Sequence, residues 1–207
     1  MTFISDSLNR IKPSATMVIT AKATQLKREG KKVIGLSSGE PDFDTPQHVK
    51  QAAIDAINSG YTKYTNIEGI PELRQSIVEK FKKDNDLNYD VSNVIVGTGG
   101  KQILFNALMS SLNKDDEVII PAPYWVSYPD MTLLAGGKPI FVDCSSETNF
   151  KLTGEVLDKA ITKNSKWLIL NSPSNPTGSC YSISELEEIA NVVRKHENLY
   201  VMTDDIY

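Results

Sequence analysis

The sequence predicts an α/β fold, a doubly wound and mostly parallel sheet with helices on both faces. From Val94 onward, short apolar runs of strand length alternate with segments whose apolar residues have helical spacing. This alternation is typical of parallel sheets, because a parallel connection must cross over the sheet, usually as a helix. A glycine turn at residues 97–100 follows the first run, and Lys101 opens the helical segment after it. In such sheets, ligands collect at the carboxyl ends of the strands.

Five apolar runs are predicted as strands of this sheet. They are residues 94–96, 117–120, 139–142, 167–170 and 200–202. Before the last run, Ser184 and Glu187 have the spacing of a capping box, so a helix is expected to begin there.

The first part of the chain lacks this regular alternation. Ser14 is expected to cap a helix over residues 15–29, and residues 33–36 are predicted as a short strand. We therefore predict an N-terminal arm with part of a smaller domain over residues 1–45, and an incomplete larger domain over residues 46–207.

Glycine and proline mark the elements that follow. Residues 37–43 are predicted as a loop, and Thr45 is expected to cap a helix with Pro46 in its first position. Pro71 is expected to start the next helix.

Composition excludes several classes of function. The 207 residues are 40% hydrophobic, enough for a real core, and the net charge of −4 argues against a nucleic-acid partner. Two cysteines and two histidines, without ligand spacing, predict neither a disulfide framework nor a metal site. No signal peptide and no membrane-spanning run is recognised, so a cytoplasmic protein without membrane contact is expected.

The glycine turn allows two interpretations. Unpaired N–H groups at a helix start can bind a phosphate, and glycines let the phosphate approach the backbone closely. However, Gln102 stands where a dinucleotide motif needs glycine and where a P-loop needs serine or threonine. The alternative is a tight turn between strand and helix that needs small residues.

Other strand ends carry further polar or aromatic groups, including Trp125, Asn175 and Asp204. Each has a structural explanation on its own: packing, an Asn-Pro turn or a strand-end cap. Together, a glycine turn that can bind an anion, a flat aromatic ring, an amide and a carboxylate are the groups that a charged, planar, phosphorylated aromatic cofactor requires.

At these residues the chain resembles the class I pyridoxal-phosphate aminotransferases of fold type I, and within them the bacterial aspartate and aspartate/prephenate enzymes. Seven segments match in family order: residues 12–16, 39–46, 61–64, 99–102, 123–129, 175–178 and 204–207. The resemblance implies the large domain of a fold type I transferase, and pyridoxal 5'-phosphate as its cofactor.

The resemblance also implies roles at the cofactor. Its phosphate would bind the turn of Gly99, Gly100 and Lys101, and Tyr64 would reach the phosphate of the neighbouring subunit, which implies a homodimer. The catalytic roles fall to Asp204, which would pair with the ring nitrogen, and to Tyr207. Ring contacts come from three residues: Trp125 by stacking, and Asn175 with Tyr207 by hydrogen bonds to the phenolic oxygen. By the same analogy, the Asn175–Pro176 and Ala122–Pro123 bonds would be cis.

For the substrates, an amino acid and a 2-oxo acid, the resemblance places Gly39, Trp125 and Asn175 around the α-carboxylate. Lys101 would bind the distal carboxylate of aspartate or glutamate together with Ser14 and Thr16. Lys12 is associated with prephenate.

The resemblance also leads us to expect that the chain is truncated. The Schiff-base lysine and the arginine that binds the α-carboxylate would follow Tyr207, so the chain alone is predicted to be inactive. The sheet would also lack two strands between the first run and the last. Two alternatives remain: a shortened, non-catalytic remnant, or an enzyme of this fold that acts on alanine or aromatic amino acids.

Overall fold

The computed structural model describes residues 3–36, 39 and 41–207. The chain divides into two compact units, one formed by Met1–Lys12 with Thr98–Tyr207 and the other by Pro13–Gly97. The predicted domains over residues 1–45 and 46–207 refer to a longer protein and stay a prediction. None of the helices in the described part of the chain combines the length and hydrophobicity needed to cross a bilayer.

The unit Pro13–Gly97 contains three helices joined by loops. They are α1 (Ala15–Arg28), α2 (Gln47–Asn58) and α3 (Pro71–Asn85). As predicted, Ser14 caps α1 by accepting a hydrogen bond from Met17 N at 3.5 Å, and Pro71 is the first residue of α3. One boundary differs: Pro46 is itself the cap of α2, with an extended ψ of 141°, so the helix begins one residue later than predicted.

Two predicted strands have no strand partner among the described residues. For residues 33–36 the prediction is wrong. For residues 94–96 the two strands expected beside them are absent from the described part of the chain, and two of their backbone groups bond to a side chain or a loop: Val94 O accepts from Arg74 Nε at 3.0 Å, and Val96 N donates to Glu68 O at 2.9 Å. Of the predicted loop 37–43, residues 37, 38 and 40 lie outside the described residues.

The second unit contains the sheet. Its strands are β1 (Glu117–Ala122), β2 (Lys138–Asp143), β3 (Ser165–Asn171) and β4 (Tyr200–Asp204), which confirms the other four predicted runs. They pair in the order β2-β1-β3-β4, all parallel. Helix α4 (Gly100–Ser111) precedes β1, and α5 (Ser127–Leu134), α6 (Gly154–Ala160) and α7 (Ile183–Val193) connect the successive strands.

Alternate residues of β1 pack into two different hydrophobic clusters, one on each face of the sheet. Val118 and Ile120 pack in a cluster with buried residues of α4 and α5, whereas Ile119 packs with those of α6 and α7. All three side chains are fully buried, as expected for a parallel strand covered on both faces. The prediction of a parallel sheet with helices on both faces is therefore confirmed.

The capping box of α7 lies two residues before its predicted position. Ser182 Oγ accepts from Glu185 N at 3.3 Å, and Glu185 Oε2 accepts from Ser182 N at 2.7 Å. The segment Ser-Ile-Ser-Glu-Leu-Glu contains the capping spacing twice, and the structure uses the first copy.

Candidate active site

The glycine turn leads directly into α4. Gly99 is the residue before the helix and has a φ of 79°, a conformation that favours glycine. A Cβ added at Gly99 or Gly100 would meet no atom within 4 Å, so the backbone faces open space there. The side chain of Gln102 folds back and accepts a hydrogen bond from Thr98 N. This bond explains the residue that fits neither nucleotide motif: Gln102 closes the turn internally and leaves the first N–H groups of the helix for a ligand.

A cation and an aromatic ring lie beside this turn. The ammonium nitrogen of Lys101 is 4.8 Å from the centroid of the Trp125 ring, within the range of a cation–π interaction. Trp125 is half-buried and packs edge-on against Tyr128, with their ring centroids 5.3 Å apart. Lys101 is exposed. The contact holds a positive charge next to a flat apolar surface.

Asn175 and Tyr207 bring two hydrogen-bond donors together. Asn175 Nδ2 donates to the Tyr207 hydroxyl at 2.8 Å, which leaves the hydroxyl proton free to be donated in turn. The Asn175–Pro176 and Ala122–Pro123 bonds are cis, as expected, and Ser172–Pro173 is also cis.

Asp204 has a buried partner that the sequence analysis missed. Tyr128 is 2% exposed, and its hydroxyl donates to Asp204 Oδ2 at 2.7 Å. Burial raises the pKa of Tyr128 well above its usual value, and the hydrogen bond to Asp204 raises it further, so the phenol stays protonated and remains a donor. Its position three residues after Trp125, within the matching segment 123–129, was the available signal.

Asn171 was also missed, although it occupies the end of a predicted strand, where ligands collect. Its Nδ2 donates to Asp204 O at 2.6 Å, and its Oδ1 accepts from Asn175 N at 2.7 Å. The nitrogen and the oxygen of the Asn171 amide therefore bond to main-chain groups of two predicted site residues, Asp204 and Asn175.

The structure brings seven of the predicted residues into one cleft of about 300 Å³. Those seven are Gly99, Gly100, Lys101, Trp125, Asn175, Asp204 and Tyr207, and Leu104, Tyr128, Asn171 and Ile206 complete the lining. Since the strands are parallel, these groups meet where β3 and β4 end and α4 begins.

The other predicted residues are not brought into this cleft, so their roles stay predictions. Lys12 is exposed in the segment before α1. Of the residues in the other unit, Ser14 caps α1 and Thr16 lies in its first turn, half-buried. Gly39 and Tyr64 are both exposed, Tyr64 fully so.

Comparison with known proteins identifies the class. Residues 31–207 match the model of the family Aminotransferase class I and II, so the chain belongs to this family of transaminases. Enzymes of this family use pyridoxal phosphate.

Similar curated proteins narrow the family further. A probable aspartate/prephenate aminotransferase of Rickettsia bellii is 60% identical over all 207 residues, which cover 52% of its length. The aspartate/prephenate aminotransferase of Cereibacter sphaeroides is 57% identical, again over all 207 residues and 52% of its length. The chain thus spans about half the length of the curated relatives it matches.

Solved structures agree with this assignment. The aspartate aminotransferase from Rhizobium meliloti has a TM-score of 0.96 and 48% identity, over all of this chain and 52% of that one. The enzyme from Thermus thermophilus, solved with maleate, also has a TM-score of 0.96, with 45% identity over all of this chain and 54% of that one.

Proposed function

We propose that this chain forms the cofactor-binding part of a cytoplasmic aminotransferase that moves an amino group between aspartate and a 2-oxo acid such as 2-oxoglutarate. The observation that carries the proposal is the convergence, in one cleft, of an open helix start, an indole ring, two paired donors and a braced carboxylate. Each of these features matches one part of pyridoxal phosphate.

The helix start fits the phosphate. Open space beside Gly99 and Gly100 lets an anion approach the backbone, and the N-terminus of α4 carries the positive end of the helix dipole. Lys101 adds a full positive charge at the same point.

The opposite end of the cleft fits the pyridine ring. Asp204 would pair with the protonated ring nitrogen, while Asn175 and Tyr207 would both donate to the phenolic oxygen. Trp125 offers a flat face for stacking. When bound, pyridoxal phosphate supplies an electron sink for the pair left when an amino acid loses its α-proton. Asp204, held by Tyr128, would keep the ring nitrogen protonated for this purpose.

The substrate assignment rests on the exposed ammonium group of Lys101. An ammonium suits a distal carboxylate that must be bound and released, and its position over Trp125 places it at the cleft. The Thermus enzyme was solved with maleate, itself a dicarboxylate, which supports an acidic substrate. We assign Ser14 and Thr16 to the same carboxylate, Gly39 with Trp125 and Asn175 to the α-carboxylate, and Lys12 to prephenate.

A homodimer completes the proposal. Tyr64 is fully exposed, and its hydroxyl would reach the cofactor phosphate in the active site of the partner subunit. The names of the relatives, aspartate/prephenate aminotransferases, support the choice of substrates.

The proposal is tested with the full-length protein that carries this chain. Pyridoxal phosphate is expected to bind stoichiometrically, with a visible absorbance band, and aspartate or glutamate is expected to change that band faster than alanine. Prephenate carries no amino group, so it is expected to restore the band after an amino donor has changed it. Failure to bind pyridoxal phosphate would refute the proposal, and a preference for alanine would refute the substrate assignment.

Asp204→Asn tests the central role of the carboxylate. At about 4 Å and an effective dielectric constant of about 20, its pairing with the ring nitrogen amounts to about 4 kcal/mol, so the rate should fall by up to about a thousandfold. Asp205→Asn, an exposed neighbour, is the matched control and should retain its activity. Near wild-type turnover of Asp204→Asn would contradict the assignment.

A further inference from the structure

We infer that Asn171 is a positioning residue that fixes the distance between Asp204, proposed to hold the ring nitrogen of the cofactor, and Asn175, proposed to hold its phenolic oxygen. The inference rests on the proposed function and concerns a residue to which neither the resemblance nor the proposal assigns a role.

Asn171 and Asp204 occupy equivalent places in the sheet. Each is the last residue of its strand, and they stand opposite each other in the parallel register of β3 and β4. Beyond this pair the ladder stops, so the carbonyl of Asp204 depends on another donor. Asn171 Nδ2 supplies it at 2.6 Å, which ties the end of β4 to the end of β3.

The other side of the same amide controls the loop that follows β3. Asn171 Oδ1 accepts from Asn175 N at 2.7 Å, so the loop turns back over its own strand end. Within the loop, Gly178 N donates to Ser174 O at 2.8 Å and Ser174 N donates to Ser179 O at 3.0 Å, which closes it further. The position of Asn175 therefore depends on the orientation of the Asn171 amide.

Asparagine suits this role because its amide is planar and carries a donor and an acceptor a fixed distance apart. A rotation that broke one bond would break the other, so the two contacts restrain each other. Alanine offers neither group, and serine offers a single hydroxyl. The bridge thus sets the spacing of Asp204, for the ring nitrogen, and of Asn175, for the phenolic oxygen.

The test compares cofactor affinities in the full-length apoprotein. Loss of a hydrogen bond to a half-buried partner costs enough to weaken binding about tenfold, so Asn171→Ala should weaken pyridoxal phosphate binding by about that factor or more. Inorganic phosphate, which would bind only at the helix start, should keep its wild-type affinity. Asn164→Ala, at the opposite end of β3, is the matched control and should bind both probes normally.

Energetic coupling of Asn171 to Asp204 and Asn175 distinguishes a positioning role from general damage to the fold. In a double-mutant cycle, Asn171→Ala should cost clearly less when Asp204→Ala or Asn175→Ala is already present. The visible-absorbance pH titration of the bound cofactor should also shift in Asn171→Ala, because the phenolic oxygen loses a well-placed donor. If Asn171→Ala does not fold, Asn171→Ser, which keeps one hydrogen bond, is used in the same cycle.

The results distinguish this inference from the proposed function. If the wild type binds pyridoxal phosphate, and the Asn171 variants bind it equally well or show effects that simply add to those of Asp204→Ala and Asn175→Ala, the positioning role is refuted and the proposed function stands. If the wild type itself does not bind, the proposed function fails first.

Discussion

At the scale of single residues, the carboxylate of Asp204 depends on a tyrosine that lies 76 positions away in the sequence. Tyr128 is buried in the core cluster of α4 and α5, and its hydroxyl ends at Asp204 Oδ2. A carboxylate has two oxygens, so this contact leaves the second one for the proposed ring nitrogen. The hydrophobic core therefore also orients a charged group of the cleft.

Tyr128→Phe should reduce turnover of the full-length enzyme by about 10- to 100-fold, the usual range for a lost hydrogen bond to a charged group. The ring and its packing are retained, so the thermal midpoint should change little. Steady-state kinetics with aspartate provide the measurement.

Tyr124→Phe is the control for this prediction. Tyr124 lies just before α5, the helix that contains Tyr128, and stacks on Phe141 with ring centroids 5.1 Å apart, so it tests the loss of a nearby hydroxyl. Equal activities of the two variants would show that the Tyr128 hydroxyl has no special role.

Residue-level contacts were the least predictable from the sequence. Trp125, Asn175, Asp204 and Tyr207 were found because they belong to motifs with a known order. Tyr128 and Asn171 were missed, since their importance comes from partners 76 and 33 positions away, and sequence spacing carries no information about such pairs.

At the scale of elements, the start of α7 distinguishes two registers that the sequence allows. The structure places Ser182 at the cap, and the Ser184 hydroxyl lies 3.1 Å from the Ser182 hydroxyl.

Ser182→Ala should lower the free energy of unfolding by about 1 kcal/mol, the usual value of a helix cap. Ser184→Ala should cost less than about 0.5 kcal/mol, as for most surface changes. Chemical denaturation of the full-length protein compares the two, and the reverse order would support the predicted box of Ser184 and Glu187.

The same cap makes the stability of the fold depend on pH. The pKa of Glu185 is lowered to about 2, first by its hydrogen bond with Lys151 and then by the bonds from Ser182. A carboxyl with a lower pKa in the folded state stabilises the fold above its unfolded pKa of 4.5, and this contribution is lost as the pH falls toward about 2.

Glu185→Gln should therefore be less stable than wild type at neutral pH, and the difference should shrink between pH 4.5 and about 2. Thermal unfolding over this pH range is the measurement. Glu187→Gln on the same helix is the control and should follow the wild type, and a constant difference for Glu185→Gln would contradict the linkage.

The strands show what hydrophobic patterns can and cannot predict. Residues 117–120 and 94–96 look alike as apolar runs, yet only the first has strand partners among the described residues. An apolar run predicts a tendency to extend, whereas a strand also needs a neighbour. Alternation with helices does not separate the two runs either, because α4 follows residues 94–96 just as α5 follows β1.

At the scale of the whole molecule, the proposed dimer shares its sites between subunits. Two full-length variants should be inactive alone: Asp204→Asn, and Tyr64→Glu, which would place a carboxylate against the phosphate. In mixed dimers one site carries both changes and the other is intact. An equal mixture, reassociated from subunits, should therefore recover about a quarter of wild-type activity.

Recovery no greater than the sum of the two variants would refute a shared site. Sedimentation of each variant provides the control, because both must still form dimers for the comparison to hold. Tyr64 is fully exposed in the single chain, so its replacement should not disturb the fold.

The parallel direction of all four strands gives the sheet two unlike ends. One end carries the cleft. At the other, the connections over residues 113–116, 135–137, 161–164 and 194–199 contribute nothing to its lining. Surface loops tolerate changes in length when no functional group depends on them. An insertion or an affinity tag in one of these connections is therefore expected to leave the geometry of the cleft unchanged.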